Sequence, residues 1–291
     1  MRRRDGIDGS EGSLPLWYRR PVRSWPLVVV LVLASCKGSS ETRANASDAA
    51  PSDAAPRSAG DSGEDLGMVV LDQGREPRAA AAFVFVPGRT AEYSLTLESR
   101  LDRGSTKLGE ERLALRLGVR YVAEDKVELT LLHAETTSPD MQRIESTFGA
   151  RVLQKFHPSG VTEMPEFSIP PAADARAGEY VKGALVQIGS NLLPVVPSEP
   201  IGEGARWNRN HLRFELLARR GPLLVIERRS GSNGPTQLDT GETVHVSEEQ
   251  TYRIETPTDG IARHVEALLV ADQPGGAVMT TRLQLDAMDT K

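Results

Sequence analysis

Arg112-Leu113-Ala114-Leu115-Arg116-Leu117-Gly118-Val119-Arg120-Tyr121 alternates large apolar residues with small or charged ones along its whole length. A period of two puts Leu113, Leu115, Leu117, Val119 and Tyr121 on one face and three arginines on the other. That is the pattern of a half-buried antiparallel strand, apolar inside and wet outside. The same period holds upstream in Tyr93, Leu95 and Leu97, and downstream in Val127, Leu129 and Leu131. It returns in Leu212, Phe214 and Leu216, in Leu223 and Val225, in Val244 and Val246, and in Tyr252 and Ile254. A run over 265–270 and the series Met279, Thr281, Leu283 and Leu285 complete it.

Turn chemistry falls between these runs. Asp102-Arg103-Gly104, Pro158-Ser159-Gly160, Gly221-Pro222, Asn233-Gly234, Asp259-Gly260 and Pro274-Gly275-Gly276 are the expected corners. Asn-Gly and Asp-Gly tolerate positive φ and are strong hairpin signals. One segment departs from period two. Between Ala173 and Leu193, Val181, Ala184, Leu185, Ile188 and Leu192 recur at spacings of three and four, predicting an amphipathic helix that Pro194 and Pro197 end. A shorter helix is expected near Met141–Phe148. The fold expected is mainly β: an antiparallel curved sheet or half-barrel of hairpins with one main helix packed on its concave face.

The amino terminus reads differently. Six arginines precede the apolar run Pro26–Ala34, which at ~1.5 Å per residue is too short for a ~30 Å hydrocarbon core. A basic segment, a short apolar segment and small residues make an export signal. Its end, Leu33-Ala34-Ser35-Cys36, resembles the lipobox of bacterial lipoproteins. The resemblance implies cleavage between Ser35 and Cys36 and fatty acyl chains, palmitate among them, on the Cys36 thiol. At ~0.8 kcal/mol per buried methylene, two or three chains anchor a protein firmly. Lys37, in place of Asp, favours the outer over the inner membrane by similarity to enterobacterial sorting.

Residues 37–65 are rich in Ser, Ala, Gly, Asp and Pro, and Ser-Asp-Ala-Ala-Pro occurs twice in succession at 47–56. So little apolar surface cannot offset chain entropy, so a disordered tether is expected. The organisation read from the sequence is therefore a signal peptide over 1–35, acylated Cys36 with a tether to 66, and a single β-rich domain over 67–291.

Composition narrows the function classes. Residues 1–35 hold six of the 35 Lys and Arg and three of the 40 acids, leaving 29 against 37 and a net charge of -8 beyond them. A charge of that sign argues against nucleic acid. Cys36 is the sole cysteine, so no internal disulfide can form.

Residues 194–207, Pro194-Val195-Val196-Pro197-Ser198-Glu199-Pro200-Ile201-Gly202-Glu203-Gly204-Ala205-Arg206-Trp207, lie between the helix and the later hairpins. With the lipobox, this segment resembles a family of uncharacterised lipoproteins of the myxobacterial type. That architecture is in turn similar to half-barrel envelope lipoprotein carriers. The resemblance implies a fold and brings no activity with it. From the residues themselves, the prolines stiffen a connector, Gly202 and Gly204 permit close backbone approach, and Trp207 caps a strand start. The rim of a binding site is the other reading of Trp207.

Chemistry is sparse. His133, His157, His211, His245 and His264 have no tight metal spacing. No Gly-x-Ser-x-Gly elbow occurs, and Gly60-Asp61-Ser62-Gly63 sits in the tether. Glu110-Glu111 and Glu248-Glu249 read as solvated turns. Arg112, Arg116 and Arg120 read as a wet face, with an anion-binding stripe as the alternative. No catalytic residue, metal or cofactor is indicated.

The expected role is non-catalytic binding of an apolar or amphiphilic envelope ligand. Its candidate pocket is Val181, Leu185, Ile188, Leu192 and Trp207. The alternatives are a protein-interaction module of the envelope with a filled core, and a hydrolase.

Overall fold

The computed structural model describes residues 67–138, 143–237, 243–273 and 275–288. The export signal, Cys36 and the tether lie outside the described residues.

Twelve strands form one antiparallel, open, curved sheet. They are β1 (Met68–Asp72), β2 (Thr90–Arg103), β3 (Thr106–Ala123), β4 (Lys126–Thr136), β5 (Arg151–Lys155), β6 (Glu166–Ser168), β7 (Arg206–Arg209), β8 (Leu212–Arg220), β9 (Leu223–Gln237), β10 (Thr243–Pro257), β11 (His264–Gln273) and β12 (Ala277–Met288). The order is β1-β7-β8-β9-β10-β11-β12-β2-β3-β4-β5-β6. Two meanders, β2–β6 and β7–β12, therefore join where β12 pairs with β2 from Val278↔Asp102 to Met288↔Glu92.

The alternation read from the sequence sets which face is buried. One row of partners crosses eight strands: Leu216, Ile226, Ile254, Val265, Leu285, Leu95, Leu115 and Ala134. All eight are buried, and they form the floor of the core. The opposite face is wet. There Arg112, Arg116 and Arg120 meet Glu98, Glu92 and Glu128 at 3.7, 2.6 and 3.1 Å. The three arginines thus form cross-strand ion pairs instead of a free anion stripe. Exposed pairs of this kind contribute ~0–1 kcal/mol each.

β6 and β7 lie near opposite edges of the sheet, so the chain must cross the inner face between them. It does so with α1 (Ala175–Asn191) and the connector through Ala205. Seventeen residues at ~1.5 Å each span about 25 Å. Asp174 caps the start, its carboxylate accepting from the Arg176 and Ala177 amides at 3.1 Å. Pro194 follows the end. The connector is held by the Ala262 amide donating to the Leu192 carbonyl at 2.9 Å and the Val196 amide donating to the Ser159 carbonyl at 2.8 Å.

The second expected helix is a single 3-10 turn, Ile144–Thr147. Gly104, Gly160, Gly221, Gly275 and Gly276 hold positive φ at the expected corners. Asn233-Gly234 is a correction. It lies within β9, where Asn233 pairs with Ser247 and Gly234 with Val246. Long-range pairing with β10 overrides the local turn preference. The turn between β7 and β8 is instead made by Asn210, at φ 54.

Candidate functional site

On the helix side of the inner face the described apolar side chains are buried. Val181, Leu185, Ile188 and Leu192 are buried and share one cluster with Leu117, Leu129 and Val152. Trp207 belongs to the same cluster, fully buried. Its ring stacks on Phe214 with centroids 5.6 Å apart, and its indole N–H donates to the Val195 carbonyl at 2.9 Å. The five residues singled out as pocket lining thus contact core side chains.

The inner face changes character along the strands. One row beyond the aliphatic floor, the partners read Phe214, Arg228, Tyr252, Ala267, Leu283, Leu97 and Leu113. The next row reads Ser230, Gln250, Leu269, Thr281, Ser99 and Glu111. Ser99 Oγ and Thr281 Oγ1 hydrogen-bond each other at 2.8 Å. Beyond them lie Ser232, Glu248, Ala271, Met279 and Leu101, the last two half-buried. Glu248 accepts from the Gln250 amide. Polar groups and half-buried apolar side chains therefore share one end of the concave face.

Arg228 stands out in this region. It is only 9% exposed, and among the described residues no carboxylate pairs with it. Its guanidinium carbon lies 3.7 Å from the centroid of the Tyr252 ring, a cation–π contact. Its Nε has no hydrogen-bond partner. Burial pulls the guanidinium pKa below its ordinary value and pushes the Tyr252 hydroxyl up. Sequence reading missed it by a phase error. It took Leu223 and Val225 as the apolar face of β9, whereas Leu224, Ile226 and Arg228 face inward. A bulge between Leu216 and Ala218 opposite this strand buries Val225 as well and blurs the alternation.

His133 and His264 do not converge. His133 on β4 and His264 on β11 are four strands apart, on the order of 19 Å across the sheet. His264 Nδ1 is 2.6 Å from Asp286 Oδ1, and its Nε2 is 3.3 Å from Glu266 Oε1. Burial pulls its pKa down, but the bonds and charges of Asp286 and Glu266 outweigh it and leave the value raised. A raised folded-state pKa makes this contribution full below the unfolded value of about 6.5 and lost as pH rises through the folded value. Urea melts at pH 6 and pH 8 should show a steeper loss in the wild type than in His264→Gln, by under ~1 kcal/mol at this exposure. Equal losses in both would remove His264 from the pH dependence.

A cleft of about 400 Å³ lies by the edge of the sheet, bordered by Leu71, Arg206, Arg213, Glu215, Glu227 and Arg229. Its charges are largely compensated locally: Arg206 pairs with Asp72 at 3.4 Å and Arg229 with Glu227 at 2.5 Å. Among the described residues no group of three or more His, Cys, Asp or Glu could hold a metal ion. Among them, too, no helix is long and apolar enough to cross a membrane.

No family model matches the chain, and no curated protein matches it. Two solved structures are similar at a low level. Lipovitellin, from a structure concerned with its lipid–protein interactions, shares 12% identity at a TM-score of 0.48, over 70% of this chain and 25% of that one. Ail, the attachment invasion locus protein of Yersinia pestis solved with the heparin analogue sucrose octasulfate, shares 8% identity at a TM-score of 0.19. That match covers 69% of this chain and 99% of Ail. The chain spans about a quarter of the length of the lipovitellin chain it matches. Likenesses of this size carry no argument about the site.

Proposed function

We propose that this chain is an envelope lipoprotein, anchored through acyl chains on Cys36 and favouring the outer membrane, that binds an apolar or amphiphilic envelope ligand without catalysis. The signal over 1–35 is removed, the segment from Cys36 to 66 is the tether, and residues 67–291 form the binding domain.

The observation that carries this reading is the change of character along the concave face. Across β9 to β2 at the polar end of the strands, half-buried Met279 and Leu101 share the inner face with Ser230, Gln250 and Glu248. A concave surface combining apolar side chains with a few placed polar groups suits an amphiphile. The ligand contacts assigned at first to Val181, Leu185, Ile188, Leu192 and Trp207 move, in this proposal, to the opposite end of that face. The burial of Val181, Leu185, Ile188 and Leu192 beneath α1 supports a second reading, a protein-interaction module of the envelope with a filled core.

The test uses the full chain, expressed with its own leader in a bacterial host and purified. An alkyne analogue of palmitate should label it, and Cys36→Ala should abolish the label. Organic extraction followed by mass spectrometry should release an amphiphile at about one per chain. A labelled protein that yields none would move the assignment to the interaction module.

A further inference from the structure

We propose that Arg228 recognises the headgroup of the ligand, an oxyanion of carboxylate or phosphate type at the end of an apolar chain. This rests on the reading that the concave face binds an amphiphile, and adds which class of amphiphile.

Arg228 pairs with Phe214 on β8 and Tyr252 on β10, both buried, and follows Leu224 and Ile226 on the same face of β9. It therefore projects inward, from the last aliphatic row toward the polar end. An arginine is seldom buried to this extent unless paired, because a guanidinium leaving water must find other partners.

Five other strand arginines show what pairing looks like in this sheet. Arg112, Arg116, Arg120, Arg229 and Arg253 have carboxylate oxygens at 3.7, 2.6, 3.1, 2.5 and 3.6 Å. All five side chains are more than half exposed, where water makes a partner least necessary. Arg228, where a charged partner matters most, has only the Tyr252 ring and hydroxyl beside it and no carboxylate among the described residues.

The guanidinium keeps a donor for an incoming anion, its unpartnered Nε–H. Its plane lies against the Tyr252 ring, the central carbon 3.7 Å from the centroid. Its N–H donors radiate in that plane, a fork that matches two oxygens of a carboxylate or phosphate. One row further, Ser230 and Gln250 face the same side and bring hydroxyl and amide donors. Two acids share that side: Glu248, engaged by Gln250 two residues away along β10, and Glu111 on β3, which accepts from the Ser138 hydroxyl at 3.4 Å. Half-buried Met279 and Leu101 lie across the face, where the apolar chain would run.

The test is titration of the full chain by isothermal calorimetry with three twelve-carbon probes below micelle formation: laurate, dodecyl phosphate and dodecanol. At least one of the two anions should bind ten-fold or more tightly than dodecanol, and the preferred one identifies the acid. Arg228→Met should lose that ten-fold preference while its dodecanol affinity stays unchanged, and Arg228→Lys should fall between. Wild-type affinities equal for all three probes would overturn the inference and leave amphiphile binding standing. So would an unchanged preference in an Arg228→Met variant with wild-type circular dichroism. Inorganic phosphate or acetate binding as tightly as its twelve-carbon counterpart would overturn it in favour of a small-anion site. No binding of any probe would remove both the inference and the reading beneath it. Should Arg228→Met fail to fold, the wild-type comparison of charged and neutral probes still decides.

Discussion

Trp207→Ala is expected to lower the melting temperature by roughly 10 °C or more. Truncating a fully buried Trp costs ~3–5 kcal/mol in lost transfer and cavity terms. A domain of 150–250 residues loses ~2–4 °C for each kcal/mol. Two specific contacts raise the cost toward the upper limit. The indole is the stacking partner of Phe214, and its N–H is the donor to the Val195 carbonyl, a group buried in the connector. Trp207→Phe should recover most of the loss by restoring a ring against Phe214 while leaving that carbonyl without its donor. Circular dichroism melts of the two variants check this. An alanine variant within ~2 °C of wild type would show that the connector and β7 are not held through this ring.

Gly202→Ala should be nearly as damaging, although it adds a single methyl group. A Cβ at 202 would stand 1.7 Å from the Arg75 carbonyl oxygen and 3.2 Å from that of Pro77. Both are backbone atoms, so no side chain can swing away. Across the same contact a Cβ on Gly74 would meet the Gly202 carbonyl oxygen at 2.4 Å. Two strands of backbone cross here in direct contact, sewn by the Gly202 amide donating to the Gln73 carbonyl at 2.9 Å and the Arg75 amide donating to the Glu203 carbonyl at 2.9 Å. Overpacking costs ~1–3 kcal/mol where side chains can adjust, and the upper end is expected where backbone must move. Gly204→Ala makes the control. Space around it is open, but its φ of +81 strains any L side chain, so its cost comes from conformation alone. If Gly202→Ala melted with the wild type, the segment at 73–77 would not be docked on the connector.

Comparing these two positions shows how far the sequence reaches. Gly202 was legible as a point of close approach because it sits in a Pro- and Gly-rich run. Gly74, which meets it, was not, since its partner is 128 residues away and nothing local marks it. The strands behaved likewise. β2, β3 and β4 announced their inner faces through uninterrupted alternation, and the core row through Leu95 and Leu115 follows directly. β9 did not. Leu223, Leu224, Val225 and Ile226 are all apolar, so period two has no unique phase there, and only the pairing with β10 places Arg228 inside. Apolar spacing places a helix between Ala173 and Leu193, and it runs over Ala175–Asn191, but spacing cannot tell a side chain lining a cavity from one filling it. Packing is a property of facing surfaces, and one surface was all the sequence offered.

The pairing of β12 with β2 bears on how the molecule comes into being. The last of the twelve strands to be synthesised takes a place in the middle of the sheet, between β11 and β2. Until it arrives, the first meander ends in the fourteen-residue strand β2 with one long side unzipped, and the second ends in β11 with the same defect. Unsatisfied strand edges of that length invite association with other chains. Contacts spanning nearly the whole described sequence must also form before the two halves cooperate, and such contacts slow folding. Assembly of this sheet is therefore a keystone process: neither arch is complete until the final piece drops between them.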